Sequence, residues 1–290
     1  MRPDVLILGG RPEGWHGARL RLALERLGLG VARADLSACA LVGGEVRLAG
    51  LDRLPGLALV RSVPAGSFEQ VTLRLGVLHA LEALGVVVVN GARAIERCVD
   101  KSMTGFLLAR AGLPTPPTWT VQTLEQARTV AQGGERLVLK PLFGAQGRGL
   151  RLIAGAHGLP PPEECGGVYH LQRFVDTVDG VWRDFRVLVV GGRAVAAMAR
   201  RGSGWVTNIG QGGTAEPLAA EGRLAELAVA AAGAVGADHA GVDLIAGRDG
   251  GLQILEVNSM PAWQGLQGVS EQDIALHLAR HLASRLRPRR

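Results

Sequence analysis

No stretch of this 290-residue chain approaches the roughly 20 consecutive apolar residues that a membrane helix requires. The longest apolar runs, such as Val86-Val87-Val88-Val89, are strand-length. Residues 1–10 carry charge but no long apolar region and no small-residue cleavage site. They read as a first strand entering a glycine turn, not a signal peptide. Cysteine is sparse. Cys39, Cys98 and Cys165 are odd in number and far apart, which argues against a disulfide framework or a metal motif and fits a reducing cytoplasm. None is assigned a catalytic role. Aromatic residues make up 4% of the chain, too few to interleave with the basic ones as a nucleic-acid surface requires. The net charge of +6 and pI of about 10.2 therefore point first to phosphate or carboxylate ligands. The arginine-rich end, Arg285-Leu286-Arg287-Pro288-Arg289-Arg290, reads as a solvated terminus. Lysine is scarce as well, and the positions of Lys101 and Lys140 matter below.

What is present is an alternation. Apolar strands near 4–9, 30–34, 57–60 and 86–89 alternate with helical patterns over 15–29 and 67–84. This predicts a doubly wound parallel sheet whose ligand edge carries Gly9, Arg61 and Asn90. The glycines near residue 9 do not form the GxGxxG dinucleotide fingerprint. Further on, a helix is expected over 101–111, capped by Asp100, then strand 118–121, a helix after Thr123 and strand 137–140. Strand 150–153 follows, and 155–167 reads as a loop. Strands 168–174, 184–190 and 193–201 read as one antiparallel meander around a Gly191-Gly192 turn. A helix over 220–235, a hairpin of 240–245 with 252–257 and a terminal helix over 270–286 complete the chain. The organisation expected is a first domain over 1–94, a small lobe over 95–170 and a large lobe over 171–290.

Three sets of residues carry chemistry. Glu256 and Asn258 are two apart on a strand and share a face. The hairpin brings Asp243 beside them, giving three hard oxygen donors suited to Mg²⁺. Lys140 ends an apolar strand, where an ammonium is costly unless an anion meets it. It leads directly into Gly144-Ala145-Gln146-Gly147-Arg148-Gly149, whose glycines let backbone N–H groups approach phosphate. This is not a Walker A loop. Finally, Asp184 and Arg186 share a strand face, with Arg200-Arg201 and Asn208 following. Arginine suits bidentate capture of phosphate or carboxylate.

In this order the motifs resemble the ATP-grasp superfamily, and within it the RimK-like glutamate ligases, in detail over roughly 95–285. The resemblance implies an α/β fold: a pre-ATP-grasp domain with a parallel sheet, then two ATP-grasp lobes with mainly antiparallel sheets. It implies ATP and two Mg²⁺, with Mn²⁺ also acceptable. Lys101, Lys140 and the loop residues Gly144, Gln146, Gly147 and Gly149 would meet the phosphates. Gln172-Arg173-Phe174-Val175 would form the adenine hinge, and Asp184 would help to fix the nucleotide. Asp243, Glu256 and Asn258 would bind metal. Arg186, Arg201 and Asn208 would face the reacting groups, and Arg61, Ser62, Gly212 and Gly213 the substrate. The family commonly has Glu where Arg173 stands, so only the backbone contact at that position is expected. The implied activity is an ATP-dependent carboxylate–amine ligase working through an acylphosphate, adding glutamate or another amino acid to a small-molecule or coenzyme carboxylate. A protein C-terminus as acceptor, or a non-catalytic ATP-binding shell, are the alternatives. The expected partners are these two substrates, with no membrane and no nucleic acid; a homo-oligomer is compatible with the sequence.

Overall fold

The computed structural model describes residues 3–10, 13–144, 146–178 and 181–286. Met1, Arg2, Arg11, Pro12, Ala145, Asp179, Gly180 and the last four residues of the arginine-rich end lie outside them. The chain begins with β1 (Val5–Gly9), α1 (Trp15–Arg26), β2 (Val31–Asp35) and a small hairpin of β3 (Ala40–Val42) with β4 (Glu45–Arg47). β5 (Leu57–Val60), α2 (Phe68–Ala83), β6 (Val87–Val89) and α3 (Ala92–Val99) follow. The four longer-range strands form a parallel sheet in the order β2-β1-β5-β6. Alternate residues of its central strands enter two different cores. Val5, Ile7, Leu57 and Leu59 face α1, while Leu6, Leu8, Ala58 and Val60 face the side of α2 and α3. Burial on both faces explains why these strands read as continuous apolar runs.

Next come α4 (Lys101–Arg110), β7 (Thr118–Val121), α5 (Leu124–Ala131), β8 (Leu137–Lys140), β9 (Arg151–Ile153) and β10 (Tyr169–Arg173). Asp100 caps α4 by accepting from the backbone N–H groups of Ser102 and Met103, and Thr123 with Gln126 forms a capping box on α5. The second sheet runs β7-β10-β8-β9. β10 therefore pairs with β7 and β8 and is not the first strand of a meander, as the sequence pattern had suggested. The division drawn at 170/171 cuts through it.

The large sheet contains β11 (Arg183–Val190), β12 (Arg193–Arg201), β13 (Thr214–Leu218), then after α6 (Gly222–Val235) the hairpin of β14 (His239–Ala246) and β15 (Leu252–Asn258). Its order is β13-β12-β11-β14-β15, all antiparallel. One face buries Phe185, Val187, Ala197, Val242 and Ile254 against α6. The other face is divided. Leu188, Val190, Ala196 and Met198 pack with Trp263, next to α7 (Gln264–Gln267), and with α8 (Ile274–Arg285), which itself lies against α1 of the first sheet. The rest of that face is polar and open. α3, β3, β4, β13 and α7 had no counterpart in the sequence reading, and α8 starts four residues later than expected. No described helix is long and apolar enough to cross a membrane.

Candidate active site

The polar half of the large sheet carries a ladder of alternating charge. Asp184 lies opposite Arg200 and Arg186 opposite Asp243 in the strand register. Arg200 donates from Nε and Nη2 to Asp184 at 2.7 and 2.5 Å. Arg186 donates from Nε and Nη2 to the two Asp243 oxygens, both at 2.7 Å. Arg200 Nη2 also lies 3.1 Å from Asp243 Oδ2 and joins the two pairs. Burial disfavours the Asp243 charge, but the Arg186 and Arg200 guanidiniums outweigh it and hold its carboxyl below the usual range. Arg200 stays protonated for the complementary reason: burial works against its charge, and the carboxylates of Asp243 and Asp184 more than offset it.

Asp243 pairs with Glu256, and Gly241 with Asn258, so the three expected oxygen donors do share one face. A register shift beside Asp243 leaves Leu255 as the extra residue, and this bulge is what brings Glu256 rather than Leu255 opposite Asp243. The Glu256 carboxylate makes no hydrogen bond and no ion pair among the described residues, and the Asn258 side chain donates only a long bond of 3.4 Å to the Gly241 carbonyl. A carboxylate and an amide oxygen are thus left open to a hard cation, with Asp243 beside them. This donor set fits Mg²⁺ that shares its shell with phosphate.

Two cavities meet on this ladder. The first encloses about 960 Å³ of space, its open mouth included. Val138, Leu150, Ile245 and Leu255 give it apolar walls, and Gln172 to Val175 line it. Lys101 and Lys140 enter it without carboxylate partners among the described residues. Lys101 Nζ donates to the Gly144 carbonyl at 2.8 Å, and Lys140 Nζ to Gln172 Oε1 at 2.6 Å. Burial pushes both ammonium pKa values down, against the pull of Glu256. An added anion would relieve that cost. Gly147 and Arg148 of the glycine loop also line this cavity. The second cavity is lined by Arg186, Met198, Ile209, Asn258, Pro261 and His16, among others. Arg200, Asn208 and Glu256 line both. The glycine loop spans the two, with Gly147 on the first and Gln146 on the second.

His16 ties the first sheet's helix to this region. Its Nε2 accepts from the backbone N–H groups of Trp263 and Gln264 at 3.0 and 3.2 Å, which places the ring proton on Nδ1. Burial, with the nearby Arg61 charge, lowers its pKa to about 4.

Several expected residues are placed elsewhere. Arg201 lies on the opposite face of β12 from Arg200, exposed, and pairs with Glu216 at 2.6 Å. Arg173 stays at the first cavity as expected, and only its side chain turns away, to pair with Glu135 at 3.2 Å. Arg61 does not reach either cavity: it donates to the Pro261 carbonyl at 3.2 Å and so braces the loop after the Asn258 strand. Ser62 Oγ accepts from the Gly10 N–H at 3.1 Å. Gly212 and Gly213 line neither cavity. Gly212 has φ of 93°, and Gly213 abuts the Thr207 carbonyl where no side chain fits, so both shape the loop that presents Asn208. Gly149 also lines neither; its φ is 72°. Sequence reasoning missed Trp182 and Trp205, which line the first cavity with Phe174 stacked edge-on against both. It also missed Arg200 and His16.

The two lysines, the charged ladder and the two adjoining cavities sit in an ATP-grasp fold. The same fold is seen in the ATP-grasp ligase PsnB complexed with its minimal precursor. That structure superposes with a TM-score of 0.76 at 21% identity over 98% of this chain and 99% of PsnB. Residues 98–282 match the RimK-like ATP-grasp domain, and the chain belongs to that family. Among its relatives are the tetrahydromethanopterin:alpha-L-glutamate ligases of Methanococcus maripaludis, 37% identical over 76% of each chain, and of Methanosarcina acetivorans, 33% identical over 88% of this chain and 91% of the relative. The chain is an ATP-dependent carboxylate–amine ligase.

Proposed function

We propose that the chain joins glutamate to a carboxylate of a coenzyme-sized acceptor, with ATP as the activating substrate and a reduced pterin as the acceptor class. The observation that carries this reading is the shared wall of Arg200, Asn208 and Glu256 between the two cavities. A nucleotide in the first cavity would direct its terminal phosphate at that wall, and a carboxylate in the second would approach from the other side. The glutamate ligase activity named for the two archaeal relatives supports the choice of amino acid and acceptor.

The reaction divides into two steps. An acceptor carboxylate oxygen attacks the γ-phosphorus and ADP leaves, giving an acylphosphate. The glutamate amine then attacks the acyl carbon, phosphate leaves, and the nitrogen loses its proton. The first step needs little more than alignment and neutralisation of spreading negative charge. Lys101 and Lys140 supply cations to the nucleotide phosphates, and Arg200 to the reacting oxygens. Asp243, Glu256 and Asn258 would hold the divalent cations, two Mg²⁺ or Mn²⁺, which neutralise the phosphate oxygens. The loop 144–149 rests on Asn208 and excludes water that would hydrolyse the acylphosphate. The test is ADP release by the purified chain with Mg²⁺, glutamate and a panel of acceptors: reduced pterins, folates and C-terminal peptides. Glutamate-dependent turnover with a pterin carboxylate is expected. Turnover only with peptides, or with no acceptor at all, would sink the proposal.

A further inference from the structure

Both oxygens of Asp243 are hydrogen-bonded to guanidinium groups. Its Oδ1 accepts from Arg186 Nε and its Oδ2 from Arg186 Nη2, each at 2.7 Å, while Arg200 Nη2 approaches Oδ2 at 3.1 Å. A carboxylate offers about four lone-pair positions, and a Mg²⁺–oxygen bond of about 2.1 Å adds a second strong positive charge where a planar guanidinium already sits. The bidentate Arg186 fork and a bound metal ion compete for the same oxygens. The two arginines do not stand equally in that competition. Arg200 retains a second bidentate partner in Asp184. Arg186 has only Asp243 among the described residues, and its side chain lines the second cavity.

We propose that loading the metal–nucleotide complex displaces Arg186 from Asp243, and that the freed guanidinium then takes a carboxylate of the incoming glutamate in the second cavity. Arg186 thus exchanges an internal carboxylate for a substrate carboxylate. The inference rests on the metal-site reading above. Its consequence is an order of addition. Before loading, the one uncommitted role for the Arg186 fork is filled internally; after loading, a charged, half-buried fork is left without an anion, and a substrate carboxylate satisfies it. Metal–nucleotide and carboxylate binding are then mutually favourable, and by linkage the coupling is the same in both directions.

The experiment uses the full chain and two binding readouts that do not depend on turnover. Mn²⁺ alone is titrated by electron paramagnetic resonance into the wild type, Arg186→Met and Arg186→Lys. Freeing Asp243 is expected to tighten Mn²⁺ binding at least about tenfold in Arg186→Met, with a smaller gain in Arg186→Lys, which keeps the charge but loses the fork. Glutamate is then titrated calorimetrically with and without Mg²⁺ and a non-hydrolysable ATP analogue. The wild type is expected to bind glutamate at least about fivefold tighter when loaded, and both variants to lose that gain. Should Arg186→Met fail to fold, Arg186→Lys carries the same two comparisons. Mn²⁺ affinity that is unchanged or weaker in the variants overturns the exchange, as does glutamate affinity in the wild type that ignores loading. The underlying metal assignment fails separately: Glu256→Ala would then bind Mn²⁺ with nucleotide as tightly as the wild type does.

Discussion

Arg200 and Arg201 are neighbours in the chain and face opposite sides of β12, so one joins Asp184 and Asp243 inside the site while the other meets Glu216 in solvent. Which of the two turns inward is set by a register shift between Leu188 and Val189 on the partner strand. The turn pairs Val190 with Arg193 and Val189 with Ala194, yet beyond the shift Leu188 pairs with Ala196 and Asp184 with Arg200. Without the extra residue, the face of Asp184 would have received Arg201.

The two arginines should therefore separate cleanly on mutation. Arg200→Met is expected to lower kcat/KM for ATP by about 10²- to 10³-fold, the usual scale for removing a preorganised charge from a reacting oxygen. It should also destabilise the fold by about 3–5 kcal/mol, because Asp184 is left buried without its partner. Arg201→Ala should change activity less than about threefold and stability by less than about 1 kcal/mol, as expected for an exposed pair. Steady-state kinetics and denaturant titration of both variants check this; equal losses would be inconsistent with the observed register.

Glu256 is the carboxylate left open at the meeting of the two cavities. Glu256→Gln keeps its size and removes its charge. The Mg²⁺ concentration for half-maximal activity is expected to rise at least about tenfold, with little change in melting temperature. A Mg²⁺ dependence identical to the wild type would remove Glu256 from the metal site.

Gly147 has φ of 69°, and a Cβ there would come within 2.4 Å of Asn208 Oδ1 and 3.1 Å of Val206. Gly147→Ala is therefore strained in backbone and in space. The loop should no longer close on Asn208. The expected result is kcat reduced about tenfold or more, with an increased fraction of ATP hydrolysed without amide formation. Comparing ADP release with amide product measures that uncoupling directly.

Two buried histidines and the half-buried His16 set a pH limit on stability. Burial, with the nearby Lys140 charge for His170 and the Arg61 charge for His239, lowers their pKa values from 6.5 to about 4 and about 3; His16 falls likewise to about 4. Each folded-state value lies below the unfolded one, so the unfolded chain binds more protons across this interval. The stabilisation is complete above pH 6.5 and is lost as pH falls toward 4. Denaturant midpoints should drop steadily over that range. His239 has no hydrogen-bond partner at either ring nitrogen among the described residues. His239→Leu is thus expected to leave stability at pH 7.5 unchanged or raise it by about 1 kcal/mol, and to flatten the acid slope. An unchanged slope would place the proton uptake elsewhere.

The common face of Glu256 and Asn258, the two lysines and the glycine loop were legible as candidates because each depends on local spacing. Residues two apart on a strand share a face, an ammonium at the end of an apolar strand needs an anion, and a glycine-rich turn admits phosphate. The parallel sheet was legible too, since strands buried on both sides are apolar throughout. What the sequence could not determine was anything that depends on register or on which sheet a strand joins. β10 looked like part of a meander because its residues suit any strand, but pairing with β7 and β8 is a choice among partners distant in sequence. Arg200 was passed over for Arg201 because a single bulged residue reverses inside and outside along β12, and no local signal marks it. His16 and the tryptophans at 182 and 205 reach the site only through packing between segments hundreds of residues or a sheet apart. Periodicity determined which residues could do the chemistry; the tertiary structure decided which of them face one another.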